Sequence, residues 1–99
     1  MTANIEIRGS TIALHGDLST GTAAGLHRDT PVFELPQYEV DLQGVERCDS
    51  AGLALLVYWA TSAIKSSSRL KFLNVPESLM EIARLGGLDG LVGGESVND

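Results

Sequence analysis

Ser50 is the residue of this 99-residue chain whose surroundings look most like a chemical site. It follows Asp49 and precedes Ala51 and Gly52, where an alternating apolar and acidic stretch gives way to a long apolar run. Side-chain oxygens at such a boundary accept hydrogen bonds from the first orphan N–H groups of a helix. Gly52 removes a side chain from the first turn and leaves its surface open to close approach. Capping alone accounts for these residue types.

Other reactive side chains point to nothing comparable. His15 belongs to a strand edge and His27 to a helix end. With Cys48 as the single cysteine, neither a disulfide within the chain nor a cysteine-rich zinc site can form, and no metal is expected. No glycine-rich loop with a following lysine occurs, so no nucleotide or other cofactor is implied. Ser50 has no recognisable base or oxyanion-hole motif, so catalytic residues are expected to be none and the protein not to be an enzyme. Glu77 and Glu81, one turn apart at a helix start, are explained by the helix dipole. Residues 66 to 68, three serines, read as a solvated loop.

The elements that must position Ser50 follow from periodicity. Ile5 and Ile7 alternate with Glu6 and Arg8, and Ile12 and Leu14 with Ala13 and His15. Gly9-Ser10 between them predicts a hairpin with one buried face. Residues 16 to 20 supply a turn, and Ser19 or Thr20 caps a short helix over 21 to 28, weakened by Gly21 and Gly25. Pro31 and Pro36 keep the next stretch irregular. Tyr38, Val40 and Leu42 alternate with Glu39 and Asp41 as a half-buried strand, and residues 44 to 49 follow as a loop. A long helix runs from Ser50 or Ala51 to Lys65. Residues 70 to 75 form a largely apolar strand, and a last helix opens at Pro76 and stops at Gly86-Gly87. The order is β-β-α-β-α-β-α in one domain over 1–99, with residues 93 to 99 as a flexible tail.

The long helix carries the second signal. At about 100° per residue, Leu53, Leu56, Val57, Ala60 and Ile64 share one face, the expected core face. Leu55, Tyr58, Trp59 and Ser62 fall on the other, with Ala51 above them. No charge appears between Asp49 and Lys65. An uncharged outer stripe bearing Trp and Tyr reads as a docking surface. The alternative is that Tyr58 or Trp59 packs beneath a neighbouring helix. Expected partner-binding residues are thus Asp49, Ser50, Ala51, Leu55, Tyr58, Trp59 and Ser62.

Bulk properties narrow the partner. Apolar residues make up 43 % and charged residues 20 %, enough for a packed core and against general disorder. The formal net charge of −6, with scattered Lys and Arg, argues against nucleic-acid and anionic-membrane binding. The longest apolar run, residues 53 to 60, falls far short of the roughly 20 residues that span a bilayer, so no direct membrane insertion is expected. The amino terminus lacks a signal-peptide pattern, and a reducing, cytoplasmic location is the simplest expectation. Nothing indicates a homo-oligomer.

The segment Val40-Asp41-Leu42-Gln43-Gly44-Val45, continuing to Asp49-Ser50-Ala51-Gly52-Leu53, resembles the signature of the STAS family, named for sulfate transporters and anti-sigma-factor antagonists. Leu14-His15-Gly16-Asp17-Leu18 is similar to the family's Gly-(Glu/Asp)-Leu turn after the second strand, and Gly86-Gly87-Leu88-Asp89-Gly90-Leu91 to its C-terminal Gly-Leu-x-x-Leu end. The resemblance implies an α/β fold of STAS (SpoIIAA-like) type, a mixed sheet with helices packed largely on one face. It also implies that Ser50 matches the serine phosphorylated in anti-sigma-factor antagonists, where a phosphate of about −1.5 to −2 charges is tolerated at a helix N-terminus and would repel a partner fitted against Asp41 and Asp49. Ala51-Gly52-Leu53-Ala54-Leu55-Leu56-Val57-Tyr58-Trp59 and Leu73-Asn74-Val75-Pro76 resemble the MlaB-type subunit of bacterial phospholipid-transport ABC systems. That likeness implies a non-enzymatic subunit bound to the cytoplasmic ABC transporter ATPase through Ser50 and the adjoining helix face, held beside the inner membrane by that partner. The alternative it leaves open is an anti-sigma-factor antagonist switched by phosphorylation of Ser50.

Overall fold

The computed structural model of the chain describes residues 3–92. The expected tail, 93 to 99, lies outside the described residues. The elements run β1 (Ala3–Arg8), β2 (Thr11–Leu18), α1 (Thr20–Arg28), β3 (Gln37–Cys48), α2 (Ser50–Lys65), β4 (Arg69–Leu73), α3 (Glu77–Leu85) and α4 (Asp89–Val92).

The sheet order is β1-β2-β3-β4, with β1 antiparallel to β2 and the other two pairings parallel. Gly9, at φ +59°, opens the two-residue loop that brings Arg8 opposite Thr11, a backbone position glycine enters without the steric cost of a Cβ. Register then places Ile7, Ile12, Val40 and Phe72 in one row across all four strands. The last three are buried. Neighbouring rows carry Glu6, Ala13 and Asp41 on the opposite face. Period-two alternation therefore gives one apolar face, covered by helices, and one polar face left open.

Helix α2 lies centrally, against α1 on one side, α3 on the other, and β2, β3 and β4 beneath. Its buried residues are Gly52, Leu53, Leu55, Leu56, Trp59, Ala60 and Ala63. That stripe corrects the expected wheel in two ways. Leu55 and Trp59 are internal, and Ile64, expected in the core, is 65 % exposed. The helix is apolar almost all round, so no charged side orients it from sequence. With three neighbours instead of one, the buried stripe is broad and rotated toward α1.

Three boundaries also move. The expected turn over 16 to 20 and loop over 44 to 49 are largely strand, because Gly16 pairs with Val45 and Leu18 with Cys48. Register shifts between Ala13 and His15 and between Gly16 and Asp17 interrupt the alternation that sequence periodicity depends on. Helix α4, not foreseen, follows a turn in which Gly87, at φ +72°, lets Leu88 N donate to Ala83 O at 2.7 Å. Val92 enters the core from it. The strand β4 ends at Leu73, and Asn74 turns out of it at φ +56°.

Two glycines of the helix layer separate close packing from mere propensity. A Cβ on Gly52 would collide with the Leu18 carbonyl, whereas one on Gly25 would meet nothing nearer than the mobile Arg28 Nη2 at 3.5 Å. Gly52→Ala should therefore lose about 2 kcal/mol despite its better helix propensity, and Gly25→Ala should gain about 0.5 kcal/mol. Thermal unfolding would show the first midpoint lower by roughly 10 °C and the second slightly raised.

Candidate partner-binding site

Asp49 organises the site. Its backbone is extended, at φ −142°, and Oδ1 accepts from Ala51 N at 2.9 Å and Gly52 N at 3.2 Å, capping α2. Oδ2 accepts from the backbone N and from Oγ1 of Thr20, both at 3.1 Å, so the same carboxylate holds the first residue of α1. Both helices thus begin beside one negative charge, the arrangement their dipoles favour. The Thr20 N–H bond, with those of Gly52 and Ala51 and the Thr20 hydroxyl, holds the Asp49 carboxyl below its ordinary value of 3.8. Asp49 N donates to Leu18 O at 3.2 Å, which ties the cap to the end of β2.

Ser50, the first residue of α2, is exposed. Beginning at the next residue, Ala51, a shallow apolar groove of about 280 Å³ runs between α1 and α2, lined also by Ala23, Ala24, His27, Ala54, Leu55 and Tyr58. Four alanines keep its walls low. The far end is closed by the rings of His27 and Tyr58, with centroids 4.3 Å apart and planes inclined by 34°. Leu55 is only 4 % exposed and forms the floor rather than the outer face.

Trp59 takes no part in this surface. It is fully buried, and Nε1 donates to Thr30 Oγ1 at 3.1 Å, while that hydroxyl donates to His27 O at 2.6 Å. The indole therefore pins the C-terminal end of α1 against α2, and its expected role as an exposed anchor is corrected. A buried Trp needs a partner for its N–H, and Thr30, 29 positions earlier, supplies it. Ser62 is half-buried one turn further along. Of the expected residues, the structure brings Asp49, Ser50, Ala51 and Tyr58 to the surface together. It adds Ala23, Ala24 and His27 from α1, which sequence could not assign because the packing of α1 on α2 is a tertiary fact.

Asp41 is removed from the site. It sits within β3 on the open face, where Oδ1 accepts from Asn74 Nδ2 at 2.9 Å and Gln43 N at 3.0 Å. These bonds, the Asn74 one first, lower its pKa. Strand β3 continues to Cys48, so roughly 25 Å of extended chain separates Asp41 from the cap. Cys48 itself lies 3.2 Å (Sγ to Ser78 Oγ) from the first turn of α3. Among the described residues no group of three or more His, Cys, Asp and Glu is placed to hold a metal, and no helix is long and apolar enough to cross a membrane.

The comparisons agree with this geometry. The family model described as "Mlab, STAS domain" matches residues 1–93. The chain belongs to the STAS family. Solved structures support the same fold. The anti-sigma factor antagonist SpoIIAA in its unphosphorylated form superposes with a TM-score of 0.64 at 13% identity, covering 86% of this chain and 84% of its own. A sulfate transporter family protein from Wolinella succinogenes gives 0.69 at 20% identity over 87% and 72% of the two chains. An anti-sigma factor antagonist from Mycobacterium paratuberculosis gives 0.66 at 22% identity over 92% and 81%. No curated protein sequence matches the chain. STAS domains are protein-interaction modules, in keeping with a site built from a groove and an exposed hydroxyl.

Two measurements test the assignments of Asp49 and Trp59. Because the folded-state pKa of Asp49 is depressed, its charge stabilises the fold above pH 3.8, and that contribution is lost as pH falls through the lower folded-state value. The stability deficit of Asp49→Asn, which can still cap, should be constant from neutral pH to about pH 5 and shrink below it. Denaturant titrations across that range read it directly. Trp59→Ala should cost about 3–5 kcal/mol, whereas Tyr58→Ala should cost less than about 1 kcal/mol.

Proposed function

We propose that this STAS domain is a non-enzymatic subunit that binds and supports the cytoplasmic ATPase of a phospholipid-transport ABC system. It docks through Ser50 and the groove between α1 and α2. The observation that carries the proposal is that groove. Solvent-facing helix surface is ordinarily charged, yet here Ala23, Ala24, Ala51, Ala54 and Tyr58 leave an uncharged trough beside an exposed hydroxyl. Low alanine walls admit side chains of a partner helix at close range, and Tyr58, 43 % exposed, offers the aromatic anchor typical of binding hot spots. The family model's MlaB description and the run from Ala51 to Trp59 support the choice of partner. Location follows from it: cytoplasmic, and beside the inner membrane only through the ATPase.

A second reading, an anti-sigma-factor antagonist, is favoured by the exposure of Ser50 at the start of α2 and by the fold shared with two such antagonists. Both readings use the same surface. A phosphate on Ser50 would place a second negative group beside Asp49 and weaken any docked partner.

Co-expression with the cytoplasmic ATPase of a phospholipid-transport ABC system from the same genome should give co-purification with the wild-type chain. Ala54→Glu places a charge in the groove at an exposed position and should abolish capture with less than about 0.5 kcal/mol change in stability. Ser50→Glu should weaken capture strongly. Full capture by a folded Ala54→Glu chain would remove the groove from the interface. Phosphorylation of Ser50 by a cognate serine kinase, with no ATPase captured, would select the second reading.

A further inference from the structure

At the far end of α2 lies a surface with different chemistry. Helix α2, 16 residues, is about 24 Å long, so this surface is a helix length from Ser50. Strand β4 is an edge of the sheet, and among the described residues no strand pairs beyond it. Arg69 N donates to Pro36 O at 3.0 Å, which fixes the odd-numbered residues of β4 toward β3. In a parallel ladder the amides and carbonyls of Leu70 and Phe72 then point outward.

A cleft of about 480 Å³ borders this edge, with Ile64, Phe72 and Leu91 among its lining, and a second of about 310 Å³ continues it past Lys71. Ile64 and Leu91 are 65 % and 38 % exposed. In the cleft wall, Ser68 is 1 % exposed and its hydroxyl has no hydrogen-bond partner among the described residues. A buried hydroxyl left unpaired is costly unless something else comes to meet it. On the open face of the sheet, β4 carries Arg69 and Lys71, two of the seven basic residues of an otherwise acidic chain. Glu39 stands opposite Lys71 in register, yet neither base is ion-paired among the described residues.

We infer that the β4 edge binds an extended peptide segment of a partner, in which aliphatic and acidic residues alternate. Such a strand would hydrogen-bond to Leu70 and Phe72. Its period of two would lay alternate side chains over Ile64, Phe72 and Leu91 and set the others beside Arg69 and Lys71. The charged edge also rejects basic strands and discourages indiscriminate pairing.

The test uses the full chain and a fluorescein-labelled peptide of sequence Val-Glu-Val-Asp-Val-Glu, with Val-Lys-Val-Lys-Val-Lys as its control. Fluorescence polarisation should show saturable binding of the acidic peptide only, and amide exchange should slow at Leu70 and Phe72. The R69E/K71E double variant and, separately, Ile64→Asp should each weaken binding at least about tenfold, with circular dichroism unchanged. Ala54→Glu should leave it untouched, which separates this surface from the α1–α2 groove. The inference is overturned by equal binding of both peptides, by protection on β1 instead, or by no saturation up to about 1 mM. It is equally overturned if a chain ending at Val92 binds the peptide and the full chain does not, because the occupant is then the chain's own end. Concentration-dependent self-association through β4 would assign the edge to a second copy.

Discussion

One carboxylate sets the geometry on which the docking surface depends. Asp49 accepts from the first turns of both α1 and α2 while its own amide is fixed to the Leu18 carbonyl. Two helix N-termini and the ends of two parallel strands therefore converge within one hydrogen-bonded cluster. Gly52 makes the convergence sterically feasible, since any side chain there would occupy the space of the Leu18 backbone. The Asp-Ser-x-Gly spacing is thus a packing requirement before it is a signature. Ser50 is free to face outward because Asp49 has already satisfied the orphan amides that a serine at this position would otherwise cap.

At its other end the helix pair is held by a different device. Trp59 fills the space between the helices and hands its N–H to Thr30, whose hydroxyl closes onto the last turn of α1. Polar capping at one end and a buried indole at the other fix the angle between α1 and α2. The alanine-walled groove is what remains open between these two fixed points. Its floor, Leu55, belongs to the core, whereas Ala24 and Ala54 on its rim are exposed. Partner specificity can be carried by small substitutions at those rim positions without disturbing the core.

The two faces of the sheet divide labour in the same way. Helices cover the Ile12, Val40 and Phe72 side, and charge keeps the other side in water. Burial of large side chains such as Trp59, Phe72 and Leu56 supplies the main stabilising term, each worth roughly 1.5–3 kcal/mol against exposure. Among the described residues this arrangement leaves two strand edges and one helix pair as places where another polypeptide can add contacts.

The residues alone determined the element order as far as α3, the hairpin at Gly9, the strand through Tyr38, Val40 and Leu42, and a capped helix start at the Asp49-Ser50 pair. Each rests on local physics: period-two burial, a backbone angle that suits glycine, and orphan amides that need an acceptor. Only the folded chain decided which way α2 faces. A helix without charges over most of its length has no polar side to turn outward, so Leu55 and Trp59 could be placed only once α1 was seen lying over them. The same holds for β3, whose second half is strand because β2 pairs with it, and for Asp41, which that extension carries away from Ser50. Local patterns fix what a segment is, while its neighbours fix which of its sides is inside, because burial is a property of pairs of surfaces.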